Sequence, residues 1–209
     1  MKLFDFPGSC SIGIHALLEE SGASYELEVV DLASFAQKSA GYTSVNPKGK
    51  VPALLRDDDT VLTEFPAIAF WLAKTYPKAK LIGTTLEQET RALELLDYIV
   101  GSVHMRGITF VIMPMKFLPD DKHAQETLRE FGRNEVKKGL AALSETLGDQ
   151  PYLLGDFTIA DVGLFYLLRM ARESGIDLPA NLDACLNRLS SRPAFATALS
   201  RFETLRNRA

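Results

Sequence analysis

The sequence changes character near residue 77, and this change constrains the fold more than any other feature. Before it, short apolar segments typical of strands alternate with helical patterns. After it, apolar residues recur almost only at helical spacing. Because strands alternating with helices favour an α/β unit and continuous helical periodicity favours a bundle, we predict two dissimilar domains. We place them at residues 1–77 and 86–209, joined by a linker at 78–85 that contains Gly83.

The N-terminal part has the predicted element order β-α-β, a connection, then β-β-α. The predicted strands are residues 2–6, 25–30, 51–55 and 60–62, and the predicted helices are residues 11–20, ending at Gly22, and 65–74. Residues 33–49 are rich in Ser, Gly, Asn and Pro, which predicts a long loop with one helical turn. A parallel pair joined by a helix and followed by an antiparallel hairpin is the thioredoxin-like arrangement. The predicted fold class is therefore α/β plus all-α, a thioredoxin-like N-terminal domain followed by an all-helical C-terminal domain.

The C-terminal part reads as a succession of helices. Long helices are predicted over residues 86 to about 111, 121–147 and 159–174, and shorter ones over 182–189 and 194–205. Pro114 and Pro119 end the first of these, because proline lacks the backbone donor that a helix interior needs. The third is apolar on nearly every face, which is typical of a buried helix.

Composition excludes several classes of function. Hydrophobic residues make up 46% and charged residues 24%, an ordinary globular balance, and a net charge of −4 without any basic block excludes a nucleic-acid footprint. Asp5 and Pro7 interrupt the N-terminal apolar residues before a signal peptide could form, and no uninterrupted apolar run is long enough to span a bilayer. Two distant cysteines and three separated histidines predict neither a disulfide framework nor a metal site. We therefore expect a cytoplasmic protein with no metal and no nucleic-acid or membrane partner.

The first segment that could carry chemistry is Pro7-Gly8-Ser9-Cys10-Ser11, between a strand and a helix. A cysteine at a helix N-terminus lies at the positive end of the helix dipole, which favours its thiolate. Alternatively, Cys10 is a small buried residue and a neighbouring serine caps the helix. Gly13 stands where a second cysteine would be needed, so a dithiol redox cycle at this loop is excluded.

Two further segments suit parts of an extended peptide ligand. In Asn46-Pro47-Lys48-Gly49-Lys50-Val51-Pro52-Ala53-Leu54, Pro52 opens a strand, which predicts a cis peptide bond that turns the backbone polar groups of Val51 outward. The alternative there is a plain turn. In Thr63-Glu64-Phe65-Pro66-Ala67-Ile68, backbone N–H groups at a helix start suit a carboxylate, and Glu64 suits an ammonium group. The alternative there is a simple helix entry.

In this order and within the first 70 residues, the three segments resemble the glutathione transferase family, and Cys10-Ser11 is most similar to its bacterial beta class. The resemblance covers the whole chain. Residues 155–161 are similar to the family's N-capping box, in which Thr158 would cap a helix and Asp161 would reach back to it. The resemblance implies a cytoplasmic homodimer that conjugates glutathione, as co-substrate, to hydrophobic electrophiles in detoxification.

The resemblance also implies which residues serve catalysis. Cys10 would lie beside the glutathione thiol, and Ser11 would be a neighbouring hydroxyl donor. His104 falls where beta-class members carry a histidine facing the sulfur, so it would add a hydrogen bond or a proton relay. Asp97, on the same helix as His104, would reach a γ-glutamyl amine, often across a dimer interface in this family.

The glutathione backbone would be held by the other two segments. Val51, before Pro52, would pair its backbone with the cysteinyl part of the tripeptide, and Glu64 with the backbone of Phe65 would hold the γ-glutamyl end. The family usually has serine at the position of Phe65. Loss of that hydroxyl donor is expected to cost about 1–2 kcal/mol of binding.

Two alternative functions stay open. A glutathione-dependent disulfide or peroxide reductase would use Cys10 to form a mixed disulfide. A non-catalytic member of the family would keep the fold as a binding or regulatory protein, since fold alone does not fix function. The departure at Phe65 keeps this last interpretation open.

Overall fold

A four-stranded mixed sheet organises the N-terminal part of the chain. The computed structural model describes residues 1–6 and 8–206, apart from the side chains of Phe202, Leu205 and Arg206, so Pro7 of the first segment lies outside the described residues. The strands are β1 (Lys2–Asp5), β2 (Glu26–Val29), β3 (Ala53–Leu55) and β4 (Val61–Thr63), in the order β2-β1-β3-β4. β1 is parallel to β2 and antiparallel to β3, and β4 is antiparallel to β3. This confirms the predicted thioredoxin-like arrangement.

Three helices accompany the sheet: α1 (Ser11–Ser21), α2 (Ala40–Val45) and α3 (Phe65–Thr75). α1 connects the parallel strands and ends, as predicted, at Gly22, whose φ of 69° suits glycine. The stretch 33–49 holds more structure than the predicted loop, namely a 3-10 turn at Ala36–Lys38 followed by α2.

The C-terminal part contains the predicted helices. They are α4 (Leu86–Asp97), a π-helical stretch (Tyr98–Ile108), α5 (Thr109–Ile112), α6 (Lys122–Leu147), α7 (Ile159–Glu173), α8 (Ala180–Ser190) and α9 (Pro193–Arg206), with a 3-10 turn at Pro114–Lys116. Another 3-10 turn, at Pro77–Ala79, precedes them. The predicted first long helix is continuous from α4 to α5 and ends before Pro114, but its middle is π-helical, which the sequence did not predict. α6 approaches this stretch closely, since a Cβ at Gly132 would lie 2.8 Å from the Gly107 carbonyl oxygen.

The described residues form two compact units. The first contains Met1–Ile82 and the chain from Ser190 onward, and the second contains Gly83–Leu189. α9 therefore belongs with the sheet, where it packs on α1 and Arg192 binds both carboxylate oxygens of Glu20 at 2.6 and 3.0 Å. The domain bounds 1–77 and 86–209 differ from these units in the placement of α9, and they stay a prediction.

Among the described residues, the continuous helix Leu86–Ile112 is long and apolar enough to cross a membrane by length and composition. Of its most apolar window, 39% is buried inside the fold. It packs against α6 and α7 within the second unit. A core helix of a soluble protein can have the same length and composition, so the finding is weak evidence for a membrane span.

Candidate functional site

The register of the sheet places the three chemistry-bearing segments at one end of the first unit. Phe4 of β1 pairs with Ala53 of β3, and Ala53 pairs with Thr63 of β4. Next to this row of paired residues, the chain continues from β1 into the Cys10 loop and from β4 into the segment that contains Glu64. At the same end of the sheet, the segment that contains Val51 leads into β3. Because neighbouring strands lie about 4.8 Å apart, the three segments lie within reach of one small extended ligand.

Cys10 occupies the N-cap position of α1 and is partly buried. Its carbonyl oxygen accepts a hydrogen bond from the Gly13 N–H at 3.0 Å. Burial, with smaller contributions from the carboxylates of Asp5 and Glu64, raises the pKa of the Cys10 thiol to about 12. This differs from the expectation of a thiolate, because desolvation outweighs the helix dipole here. At neutral pH, Cys10 therefore carries an S–H group.

Ser11 is fully buried and its hydroxyl is engaged within the fold. The hydroxyl donates to the Asp5 carboxylate and accepts from the Phe6 N–H at 3.3 Å. The Ser9 hydroxyl lies in hydrogen-bond contact with that of Ser11. Since Ser11 gives its one proton to Asp5, Ser9 must be the donor in that contact. The predicted role of Ser11 as a donor to a ligand therefore conflicts with this network.

Asp5 is a residue of this site that sequence reasoning missed. It is 2% exposed, and burial raises the pKa of its carboxyl group while the Ser11 hydroxyl opposes that rise. The available signal was a charged residue directly after the apolar Leu3 and Phe4 at the end of the strand Lys2–Asp5, since a buried charge needs partners.

The predicted cis peptide bond is present between Val51 and Pro52. Just before it, the Lys50 carbonyl oxygen accepts hydrogen bonds from the Tyr42 hydroxyl at 2.6 Å and from Asn46 Nδ2 at 2.8 Å. These contacts fix the chain that leads to Val51. Among the described residues, the backbone N–H and C=O of Val51 make no hydrogen bond to protein, so both can pair with an extended ligand.

Glu64 joins β4 to α3 in a backbone conformation that is rare for a side chain other than glycine, with φ of 70°. Such a conformation costs about 1–3 kcal/mol and is common at ligand-binding positions. The Glu64 carboxylate is exposed and accepts a hydrogen bond from Lys48 Nζ at 2.7 Å. Lys48 Nζ also donates to the Thr63 hydroxyl at 2.8 Å. Phe65 is 4% exposed, so its ring belongs to the core.

The remaining predicted residues lie in the second unit. Asp97 is the exposed last residue of α4. His104 lies in the π-helical stretch, where its Nδ1 is 3.3 Å from the Tyr166 hydroxyl. Burial lowers the pKa of His104 to about 4, so its ring is neutral at physiological pH. In the described part of the chain, no group of three or more His, Cys, Asp or Glu side chains is arranged to hold a metal ion.

Cys10 is expected to react slowly with iodoacetamide at neutral pH. A thiol with a pKa of about 12 is ionised to only about one part in 10⁴–10⁵ near neutral pH. Asp5→Asn should accelerate the reaction, because the amide still accepts from Ser11 but carries no charge. Peptide mass spectrometry over a pH series gives the rate at Cys10 separately from Cys185. The exposed carboxylate of Glu26 does not act on Cys10, so Glu26→Gln should leave the rate unchanged. A rate that reaches a plateau below about pH 9 would contradict this account.

Comparison with known proteins identifies the family. Residues 8–75 match the family model described as Glutathione S-transferase, N-terminal domain, and residues 125–197 match Glutathione S-transferase, C-terminal domain. Glutathione S-transferase GstA of Escherichia coli O157:H7 is 38% identical over 205 residues, covering 96% of this chain and 98% of its own.

Solved structures give the same result. A beta-class glutathione S-transferase of Sphingomonas chungbukensis superposes with a TM-score of 0.83 at 34% identity, covering 97% of this chain and 98% of its own. A sphingomonad glutathione S-transferase complexed with glutathione has a TM-score of 0.84 at 32% identity, covering 97% and 99%. The chain therefore belongs to the glutathione S-transferase family, which confirms the resemblance, and its function is that of a glutathione transferase.

Proposed function

We propose that the protein conjugates glutathione to hydrophobic electrophiles and binds the tripeptide at the end of the sheet described above. The observation that carries this proposal is the register that aligns Phe4, Ala53 and Thr63. This register brings together the Cys10 thiol, the unpaired backbone of Val51 and the Glu64 carboxylate at the start of α3. These groups match, in turn, the sulfur, the peptide groups and the γ-glutamyl end of glutathione. The relative that is complexed with glutathione supports the same ligand for this chain.

Each end of the ligand has a matching group. The Val51 backbone would pair with the cysteinyl residue, and the Glu64 carboxylate would bind the γ-glutamyl ammonium. The N-terminus of α3, which begins at Phe65, suits the adjacent carboxylate. Lys48 binds Glu64 without ligand, and it is long enough to move to a glutathione carboxylate when the ammonium replaces it. Binding of glutathione would therefore replace the Lys48–Glu64 ion pair with two ion pairs to the ligand, one from each side chain.

Cys10 would act as a hydrogen-bond donor. Its protonated thiol can donate to the glutathione sulfur as that sulfur becomes a thiolate, and such a contact is worth more as negative charge develops. Binding then contributes mainly by positioning the two reactants. The reductase alternative needs a Cys10 thiolate that attacks a disulfide, and the raised thiol pKa of Cys10 disfavours it.

We extend the proposal to His104 and Asp97 on the ground of the family resemblance. His104 would add a hydrogen bond to the sulfur, and Asp97 would bind the γ-glutamyl amine of a glutathione held by a second copy of the chain. A homodimer in the cytoplasm and a role in detoxification belong to the same proposal.

Glutathione binding and turnover test the proposal. Free glutathione should raise the melting temperature with the logarithm of its concentration above Kd, since a ligand at 100 times its Kd stabilises by about 2.7 kcal/mol. Cys10→Ala should slow conjugation to 1-chloro-2,4-dinitrobenzene by about tenfold, the loss of one charge-assisted hydrogen bond. Glu64→Gln should weaken glutathione binding, whereas the exposed Asp58→Asn should not. No stabilisation at about 10 mM glutathione would refute binding, and disulfide reduction that outpaces conjugation and vanishes in Cys10→Ala would favour the reductase.

A further inference from the structure

His104 has a fixed partner inside the second unit. Its Nδ1 lies 3.3 Å from the hydroxyl of Tyr166, and the two rings meet edge to face with centroids 5.4 Å apart and an interplanar angle of 67°. Tyr166 is fully buried on α7, so its hydroxyl is held in place by packing. The backbone of His104 is also held, because its carbonyl oxygen accepts from the Thr109 N–H and from the Thr109 hydroxyl at 3.2 Å.

The chemistry of the pair decides which group donates. A phenol is a stronger acid than a neutral imidazole N–H, and an imidazole nitrogen is a far stronger base than a phenol oxygen. The stronger of the two arrangements is therefore O–H donating to Nδ1. Because the His104 ring is neutral and holds a single proton, that proton must then be on Nε2. Within the described chain, Nε2 of His104 makes no hydrogen bond.

We propose that Tyr166 is a positioning residue that fixes His104 as its Nε2–H tautomer, so that the ring presents a permanent hydrogen-bond donor at Nε2. The inference rests on the proposed function in one respect, since the group that this donor serves would be the sulfur of bound glutathione. Without Tyr166, the ring would divide between two tautomers and two orientations. An Nδ1–H tautomer would present an acceptor at Nε2, which a thiolate repels.

The tautomer is measured directly in the protein without glutathione. Two-bond ¹H–¹⁵N correlation spectra of the ¹⁵N-histidine-labelled chain distinguish a protonated from an unprotonated nitrogen in each ring, and His104→Gln assigns the signals among the three histidines. The expected result is an unprotonated Nδ1 and a protonated Nε2 at His104 near neutral pH. Tyr166→Phe, which removes only the hydroxyl, should convert this to a mixture. An Nδ1–H tautomer in the unmodified chain, or an unchanged spectrum in Tyr166→Phe, would overturn the proposal.

Kinetics provide the second readout. Tyr166→Phe should lower kcat for conjugation by about three- to tenfold with little change in KM for glutathione, because a transition-state interaction is weakened. In a His104→Gln background, Tyr166→Phe should have no further effect on kcat, since its effect acts through His104. Tyr98→Phe is the matched control: Tyr98 lies in the same π-helical stretch, its hydroxyl has no partner among the described residues, and its removal should change neither spectrum nor kcat. Equal losses from Tyr166→Phe in both backgrounds would show a structural role only.

The two readouts separate failure of this inference from failure of the proposed function. If the protein does not bind glutathione, the spectra of the ligand-free chain still decide whether Tyr166 sets the tautomer. If it conjugates glutathione but His104 is an Nδ1–H tautomer, the proposed function stands and the role of Tyr166 is refuted.

Discussion

Replacing Asp161 with alanine is expected to lower the free energy of unfolding by about 3–5 kcal/mol. Asp161 is fully buried, and its carboxylate accepts from the backbone N–H of Leu153 at 2.9 Å and of Thr158 at 2.8 Å. Alanine leaves both N–H groups buried without an acceptor, at about 1–3 kcal/mol each, and the helix cap is lost as well. The residue is the second half of the capping box at α7, which has the predicted Thr158 and Asp161 geometry.

Urea unfolding followed by circular dichroism measures this effect. Asp156→Ala is the matched control, because Asp156 is an exposed aspartate close by in the chain, and it should change the free energy of unfolding by less than about 0.5 kcal/mol. Thr158→Ala should fall between them, since a cap hydroxyl contributes about 1 kcal/mol. If Asp161→Ala and Asp156→Ala unfold at the same urea concentration, the buried carboxylate is not a stability determinant.

The capping box was predictable because its information is local. Thr158 and Asp161 are three residues apart, and the spacing alone indicates the reciprocal hydrogen bonds. The same holds for the succession of strands along the chain, which follows from short apolar segments separated by turns. Structure within residues 33–49 was underestimated for the opposite reason: Ser39 caps α2 locally, but the buried Tyr42 is anchored by the Lys50 carbonyl, a contact that no local pattern shows.

In the candidate site, too, the features with a local sequence signal could be predicted and those that depend on packing could not. The cis bond before Pro52 and the helix start at Glu64 could be predicted, because proline at a strand start and an acidic residue at a helix start have local meanings. The protonation state of Cys10 could not be predicted. The helix dipole that favours a thiolate is visible in the sequence, but the opposing burial and the nearby Asp5 carboxylate depend on how the strand packs under α1. Desolvation depends on which atoms surround the thiol in the folded chain, and here it outweighs the effect of the helix dipole.

Acidification from about pH 7 to pH 4 and below is expected to destabilise the protein by up to about 3 kcal/mol through His15 alone. His15 on α1 is 1% exposed, and its Nε2 has no hydrogen-bond partner within the described residues. Burial, and then the charge of Arg201 on α9, lower the pKa of His15 to about 4, although Glu19 opposes the change. Tyr25, whose ring packs edge to face on His15, keeps its proton because burial raises its pKa, so it carries no charge in this range.

The folded chain favours the neutral form of His15, so protonation of His15 destabilises the fold. The pKa of His15 is lower in the folded chain than the value of about 6.5 in the unfolded chain, so its contribution is complete above about pH 6.5 and is lost as pH falls through 4. A difference of about 2.5 pKa units corresponds to roughly 3 kcal/mol. His104, also with a pKa of about 4, adds a loss of similar sign over the same range.

Urea unfolding at a series of pH values isolates the His15 contribution by comparison with His15→Gln, which cannot titrate. The variant should lose less stability than the unmodified chain between about pH 7 and 4, by roughly 3 kcal/mol, because the amide never has to accept a buried charge. His123→Gln is the control, since His123 is exposed, and its pH profile should follow that of the unmodified chain. Parallel profiles for His15→Gln and the unmodified chain would mean that His15 becomes charged in the folded state as easily as in the unfolded one. In that case the ion pair with Glu19, whose oxygen lies 3.9 Å from Nε2, would have to compensate fully for burial.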